Sequence, residues 1–154
     1  MLISIQFDTN LRNLMVEQNR FQDNPSGVIT DNKHKKHWLP KDSWGDLGQW
    51  RNYNESIAYA RLMNQVYAGG YSDWRIPTKQ EVEGLYDITC DSLDWENEIV
   101  HISTLFVTKC STFIWTIDKD ENQNTCRINL RNKELEFIDP NTRDQQAVRL
   151  IRDI

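Results

Sequence analysis

The stretch GGYSDWRIPTKQEVEGL, residues 69–85, decides the fold. Gly69 and Gly70 are predicted to end one helix, because glycine accepts the left-handed geometry of a C-cap. Thr78 followed by Glu81 is a T-x-x-E capping box and is predicted to start a second helix. Pro77 restricts the junction between them. Asp73, Trp74 and Arg75 fall inside that junction. Adjacent residues of an extended segment point to opposite sides, so the indole and the guanidinium are not expected to share one ligand. Trp74 is expected to pack between the helices, and Arg75 to pair with a carboxylate or cap carbonyls. Asp73, Trp74, Arg75, Pro77, Thr78 and Glu81 are therefore read as a structural motif.

Upstream, Asn54 is the expected N-cap of the first helix, with Glu55 in its first turn and Tyr59, Leu62, Met63 and Val66 as its apolar set. Before it, KDSWGDLGQWRNY (41–53) has two glycines, two tryptophans and no clean period, and reads as a loop pinned by its indoles. GVIT (27–30) and HWLP (37–40) read as hairpin partners. The basic run KHKKH (33–37) reads as a solvated turn or strand edge. Residues 1–24, with LISIQF as a strand and NLRNLMVEQNRF as a helix, are read as an N-terminal extension, and 25–154 as the domain. Downstream, HISTLFVT (101–108) has strand character. STFIWTI (111–117), CRINL (126–130), ELEFI (134–138) and AVRLIRDI (147–154) form a closing series of strands rich in β-branched and aromatic residues. The order predicts an α+β fold with two helices packed on short antiparallel sheets and a loop-rich half.

The chain of 154 residues fits a single domain. Only 38% of it is hydrophobic, and six tryptophans carry much of the expected core. The formal net charge of -5 argues against nucleic acid as a partner, which needs a basic footprint. No apolar run is long enough to span a membrane. Cys90, Cys110 and Cys126 form no CxxC pair, and their odd number excludes a full disulfide framework. The N-terminus lacks the basic start of a signal peptide, so the chain as written reads as cytoplasmic. An exported protein trimmed of its signal would read the same.

Three segments together resemble a known family. GVITDNKHKKHWL (27–39) is similar to an opening G-x-V-x-D-x-x-T-G-L-x-W, GGYSDWRIPTKQEVEGL to G-x-x-D-W-R-L-P-T-x-x-E-L-x-x-L, and AVRLIRDI to a terminal V-R-L-V-R strand. The family is the one named for the C-terminal domain of the Legionella collagen-like adhesin. The resemblance covers roughly residues 20–154. It implies a C-type-lectin-like fold, related also to the formylglycine-generating enzymes. The family's G-L-x-W is KKHW here, and its aromatic-Trp-Ser-Ser stretch is FIWTID.

No G-x-S-x-G, Cys–His signature or phosphate-cradling glycine loop is present, and Cys110 and Cys126 do not sit in a formylglycine-generating context. A non-enzymatic recognition module is expected, binding a glycan or a protein surface through loops of the β-rich half. The expected ligand-binding residues are Trp115, Asp118, Asp120, Asn122 and Arg127. The loop DKDENQN (118–124) carries the oxygen donors calcium takes. Gln123 and Asn129 stand where an EF-hand loop needs glycine and glutamate, so a solvated hairpin tip is the expectation and calcium the alternative. No other cofactor and no metal is expected; His34 and His37 lie three apart among lysines and read as exposed and unliganded. The competing reading is an intracellular protein–protein subunit, a scaffold or regulator that docks through residues 1–24. A third is a diversified binding protein with variable loop codons near the C-terminus. A homo-oligomer is compatible with all three.

Overall fold

The computed structural model describes residues 20–154; the strand and most of the helix expected in the N-terminal extension lie outside them. In chain order the elements are β1 (Phe21–Asp23), β2 (Ile29–Asp31), β3 (Lys36–Trp38), α1 (Ser43–Leu47), α2 (Tyr53–Gln65), a 3-10 turn at Ala68–Gly70, and α3 (Lys79–Leu85). The strands β4 (Ser92–Leu93), β5 (Ile99–Val100), β6 (Phe113–Lys119), β7 (Thr125–Asn129), β8 (Leu135–Ile138), β9 (Gln146–Ala147) and β10 (Ile151–Asp153) follow. The fold is α+β, as the sequence predicts.

The strands form two four-stranded sheets, β1-β2-β3-β10 and β8-β7-β6-β9, and a two-stranded one, β4-β5. All pairings between these strands are antiparallel except β6 with β9. Phe21, assigned from sequence to the N-terminal extension, is in the first sheet, opposite Asp31. The closing segment AVRLIRDI is not one strand. Ala147 pairs in parallel with Ile114 of β6, and Ile151 pairs with Trp38 of β3. Between them Val148, Arg149 and Leu150 are buried, and the carbonyls of Val148 and Leu150 accept from Ser43 N and Leu39 N. The segment thus stitches the two large sheets together. One apolar cluster gathers Trp38, Val82, Leu85, Phe106 and Ile128; the other gathers Leu39, Tyr59, Trp74, Trp115 and Leu150.

The helix signals are local, and most hold. Thr78 Oγ1 accepts from Glu81 N at 3.2 Å, and Thr78 N donates to Glu81 Oε1 at 2.8 Å, which is the expected capping box. The first long helix is capped by Asn52, not Asn54. Glu55 occupies its N3 position and closes a second box with Asn52 at 2.9 and 3.0 Å. Its buried face is correspondingly Tyr53, Ser56, Tyr59 and Ala60, while Leu62 and Val66, expected inside, are exposed. The loop at 41–53 contains α1, because Asp42 Oδ1 accepts from Gly45 N at 2.7 Å and Gly48 supplies the left-handed C-cap. Residues 101–108 are turns rather than a strand. Ser103 accepts from Leu105 N and Phe106 N, which folds the segment back and drives Phe106 into the core.

Candidate functional site

The junction motif serves the fold. Trp74 is 3% exposed; its Nε1 donates to the Ala68 carbonyl at 2.8 Å, and its backbone is gripped at both ends by the Asn64 amide. Gly69 lies beneath it at φ +62°, where a Cβ would collide with Val28 Cγ2. Arg75 makes two 2.7 Å bonds to Glu81 and one of 3.1 Å to Asp153. Asp73 accepts from Arg152 Nε at 2.6 Å. The two ionic residues that flank Trp74 therefore clamp the junction onto β10. Burial alone would raise the Glu81 carboxyl, but the Arg75 guanidinium and the Thr78 N–H overcome it and hold the pKa at about 2.

The five residues expected to bind ligand do not form one surface. Trp115 is fully buried, packed edge-on against Tyr53 with centroids 6.0 Å apart, and its Nε1 donates to the Arg51 carbonyl. Arg127 is buried, stacked 3.8 Å over the Phe113 ring and bonded to Glu136, Gln146 and the Asp144 carbonyl. Asp118 reaches across to accept from Lys79 N at 2.7 Å, at the start of α3. Asp120 Oδ1 accepts from Asn122 N and Asn124 N, which shapes the β6–β7 hairpin tip. Asn122 alone is exposed. Both aspartates of the calcium reading thus turn oxygens onto backbone N–H groups of their surroundings. Among the described residues no group of three or more His, Cys, Asp or Glu is placed to hold a metal ion.

The histidines take separate partners. His34 is exposed, as expected, with Nδ1 2.9 Å from Asp31. His37 packs on Tyr71 and Arg152, so that burial and the adjacent cation lower its pKa. The three thiols are free. Burial pushes the Cys110 thiol up to about 12 and raises those of Cys90 and Cys126. Thiolates are the reactive form, and these surroundings disfavour it.

A different cluster combines exposure with rigid support. Trp38, Trp74 and Trp115 are buried, whereas Trp44, Trp50 and Trp95 are each half-buried and mutually in contact. Trp44 and Trp50 stack with centroids 3.9 Å apart and planes at 13°. Trp95 meets them edge-on at 6.3 and 5.1 Å. Each ring is anchored from below. Trp44 rides on α1, whose cap Asp42 is buried and also accepts from Ser111 N at 2.8 Å. Trp50 precedes Arg51, whose carbonyl is held by Trp115. Trp95 Nε1 donates to Thr112 Oγ1 at 3.2 Å. Its neighbour Asp94 is fully buried and accepts four bonds, from Glu96 N, Glu98 N, Thr112 Oγ1 and Arg131 Nε. The ring N–H groups of Trp44 and Trp50 have no acceptor among the described residues. Sequence reading treats Trp44 and Trp50 as pins for a loop; the exposure of the three rings has no local signature.

No helix among the described residues is long and apolar enough to cross a membrane. Residues 27–152 match the Lcl C-terminal domain family, and the chain belongs to that family. No curated protein and no solved structure shows a significant match.

Proposed function

We propose that this domain is a non-enzymatic recognition module that binds a glycan on the Trp44–Trp50–Trp95 face. The observation that carries the reading is this group of three half-buried indoles in contact, two of them with ring N–H donors that have no acceptor among the described residues. A flat aromatic face offers apolar area with little conformational entropy to lose. The C–H face of a pyranose ring is its natural complement, and free N–H donors suit the ring's hydroxyls. The high thiol pKa values and the absence of a nucleophile motif support binding without turnover. The reading requires no metal.

Glycan-array binding of the full chain beside the Trp44→Ala and Trp50→Ala variants tests it. Loss of binding in variants that keep a cooperative thermal transition is the expected result. Array binding that survives both substitutions would place the ligand elsewhere.

A second reading, a subunit that docks on another protein, is favoured by the outer face of α2. Leu62 there, and Val66 and Tyr67 just past the end of the helix, are exposed by 45%, 59% and 64%. Leu62→Glu with Val66→Glu would abolish recovery of a protein partner and leave glycan binding unchanged if this face is the docking surface.

A further inference from the structure

Resting on the glycan reading of the tryptophan face, we infer that its ligand is a neutral sugar chain, with Glu96 and Arg131 reading its hydroxyl groups. The ring spacing bears on the ligand class first. Centroid separations of 3.9, 5.1 and 6.3 Å are contact distances. They leave no space between the rings for an ammonium group, which binds over a ring face within an aromatic enclosure. The ligand lies on the outward faces, and a planar or chair-shaped apolar surface fits there.

Charge is the second argument. Arg131 donates to Asp94 at 2.7 Å and to Glu96 at 3.1 Å, so its charge is already balanced by two carboxylates. Arg51, next to Trp50, is paired with Glu55 at 3.1 Å. Lys109 is turned onto the Asn97 amide. The molecule as a whole carries -5. Sulfate or uronate groups are gathered by guanidinium and ammonium groups free to pair with them, and the guanidinium groups beside Trp50 and Trp95 already have carboxylate partners. Long-range repulsion by this net negative charge also opposes an anionic chain.

The third argument is the polar rim. Glu96 and Arg131 stand beside Trp95, an acceptor and a donor set held side by side. Adjacent sugar hydroxyls, each both donor and acceptor, complement such a pair. Asp94 holds Arg131 in place from a fully buried position, so the pair is pre-organised and loses little freedom on binding.

The test is a tryptophan-fluorescence titration of the full chain with neutral polysaccharides (mannan, galactan, β-glucan) and acidic ones (polygalacturonate, heparin), at low and at physiological salt. The inference expects saturable binding of at least one neutral chain, altered by less than about twofold between the salt conditions. Glu96→Gln is expected to weaken that binding about tenfold, as loss of one charge-assisted hydrogen bond does. The melting temperature should hold, since Glu96 is 43% exposed. Preferred binding of the acidic chains, with steep salt dependence and loss in Trp50→Ala, would overturn the neutral-ligand inference and keep the tryptophan face. Unchanged emission with every chain of both classes would overturn the inference together with the reading on which it rests.

Discussion

Arg75 and Glu81 meet as two planar groups joined by parallel 2.7 Å bonds, with Glu81 simultaneously completing the capping box of α3. One carboxylate thus fixes a helix start and, through Arg75, the C-terminal strand. That double use makes the pair sensitive to acid. Glu81 has its pKa depressed from 4.5 to about 2 in the folded chain. Its stabilisation is complete above the unfolded value and is lost as pH falls through that window. The pair contributes on the order of 2 kcal/mol, because Arg75 is a third exposed and water weakens the attraction. Melting curves from neutral pH down to 2 should show the wild type losing its advantage over Glu81→Gln across the window. A constant difference between the two proteins at every pH would count against the pair.

Trp74→Ala should destabilise the domain by about 3–5 kcal/mol, as large aromatic truncations in cores do. Denaturant melts measure this directly. Binding at the tryptophan face should persist under conditions where the variant is folded, since Trp74 belongs to the cluster around Leu39 and Trp115, away from that face.

Gly69→Ala should also destabilise, and for a reason unrelated to helix propensity. The residue sits at positive φ with Val28 and Trp74 against it. Gly70→Ala provides the comparison, because φ is positive there too but no atom lies within reach of an added Cβ. The expected order of melting temperatures is wild type, Gly70→Ala, Gly69→Ala. Equal losses would show that backbone strain alone matters.

Asp118→Ala should cost about 1 kcal/mol, the usual worth of a capping interaction at a helix start. Asp120→Ala should loosen the hairpin tip. Glycan binding by the double variant should equal that of the wild type, because neither carboxylate belongs to the tryptophan face. A matching loss of affinity would return the ligand site to this loop.

The parts of the fold legible in the sequence are those specified by neighbours. The Thr78–Glu81 box spans four residues, and the D-W-R-x-P-T element reads correctly as a junction. The same logic was available at Asn52–Glu55, where N-x-x-E marks the true start of α2. Elements set by distant contacts were not legible. Trp115 has the alternating surroundings of a strand residue, yet Tyr53 from α2 covers it. The closing strand reads as continuous, and only its two partners, β6 and β3, reveal the break. Trp44, Trp50 and Trp95 come from an aperiodic loop and from a β4–β5 turn roughly forty-five residues away. Their contact arises from packing that Asp42 and Asp94 organise underneath.

The tryptophan face is tested most directly by the indole N–H region of a 15N-correlation NMR spectrum, recorded while a neutral glycan is titrated. The Trp44 and Trp50 ring resonances should shift with ligand, accompanied by Trp95, while those of Trp38, Trp74 and Trp115 stay in place. Saturable binding with all three surface indole resonances unmoved would contradict a ligand site on this face.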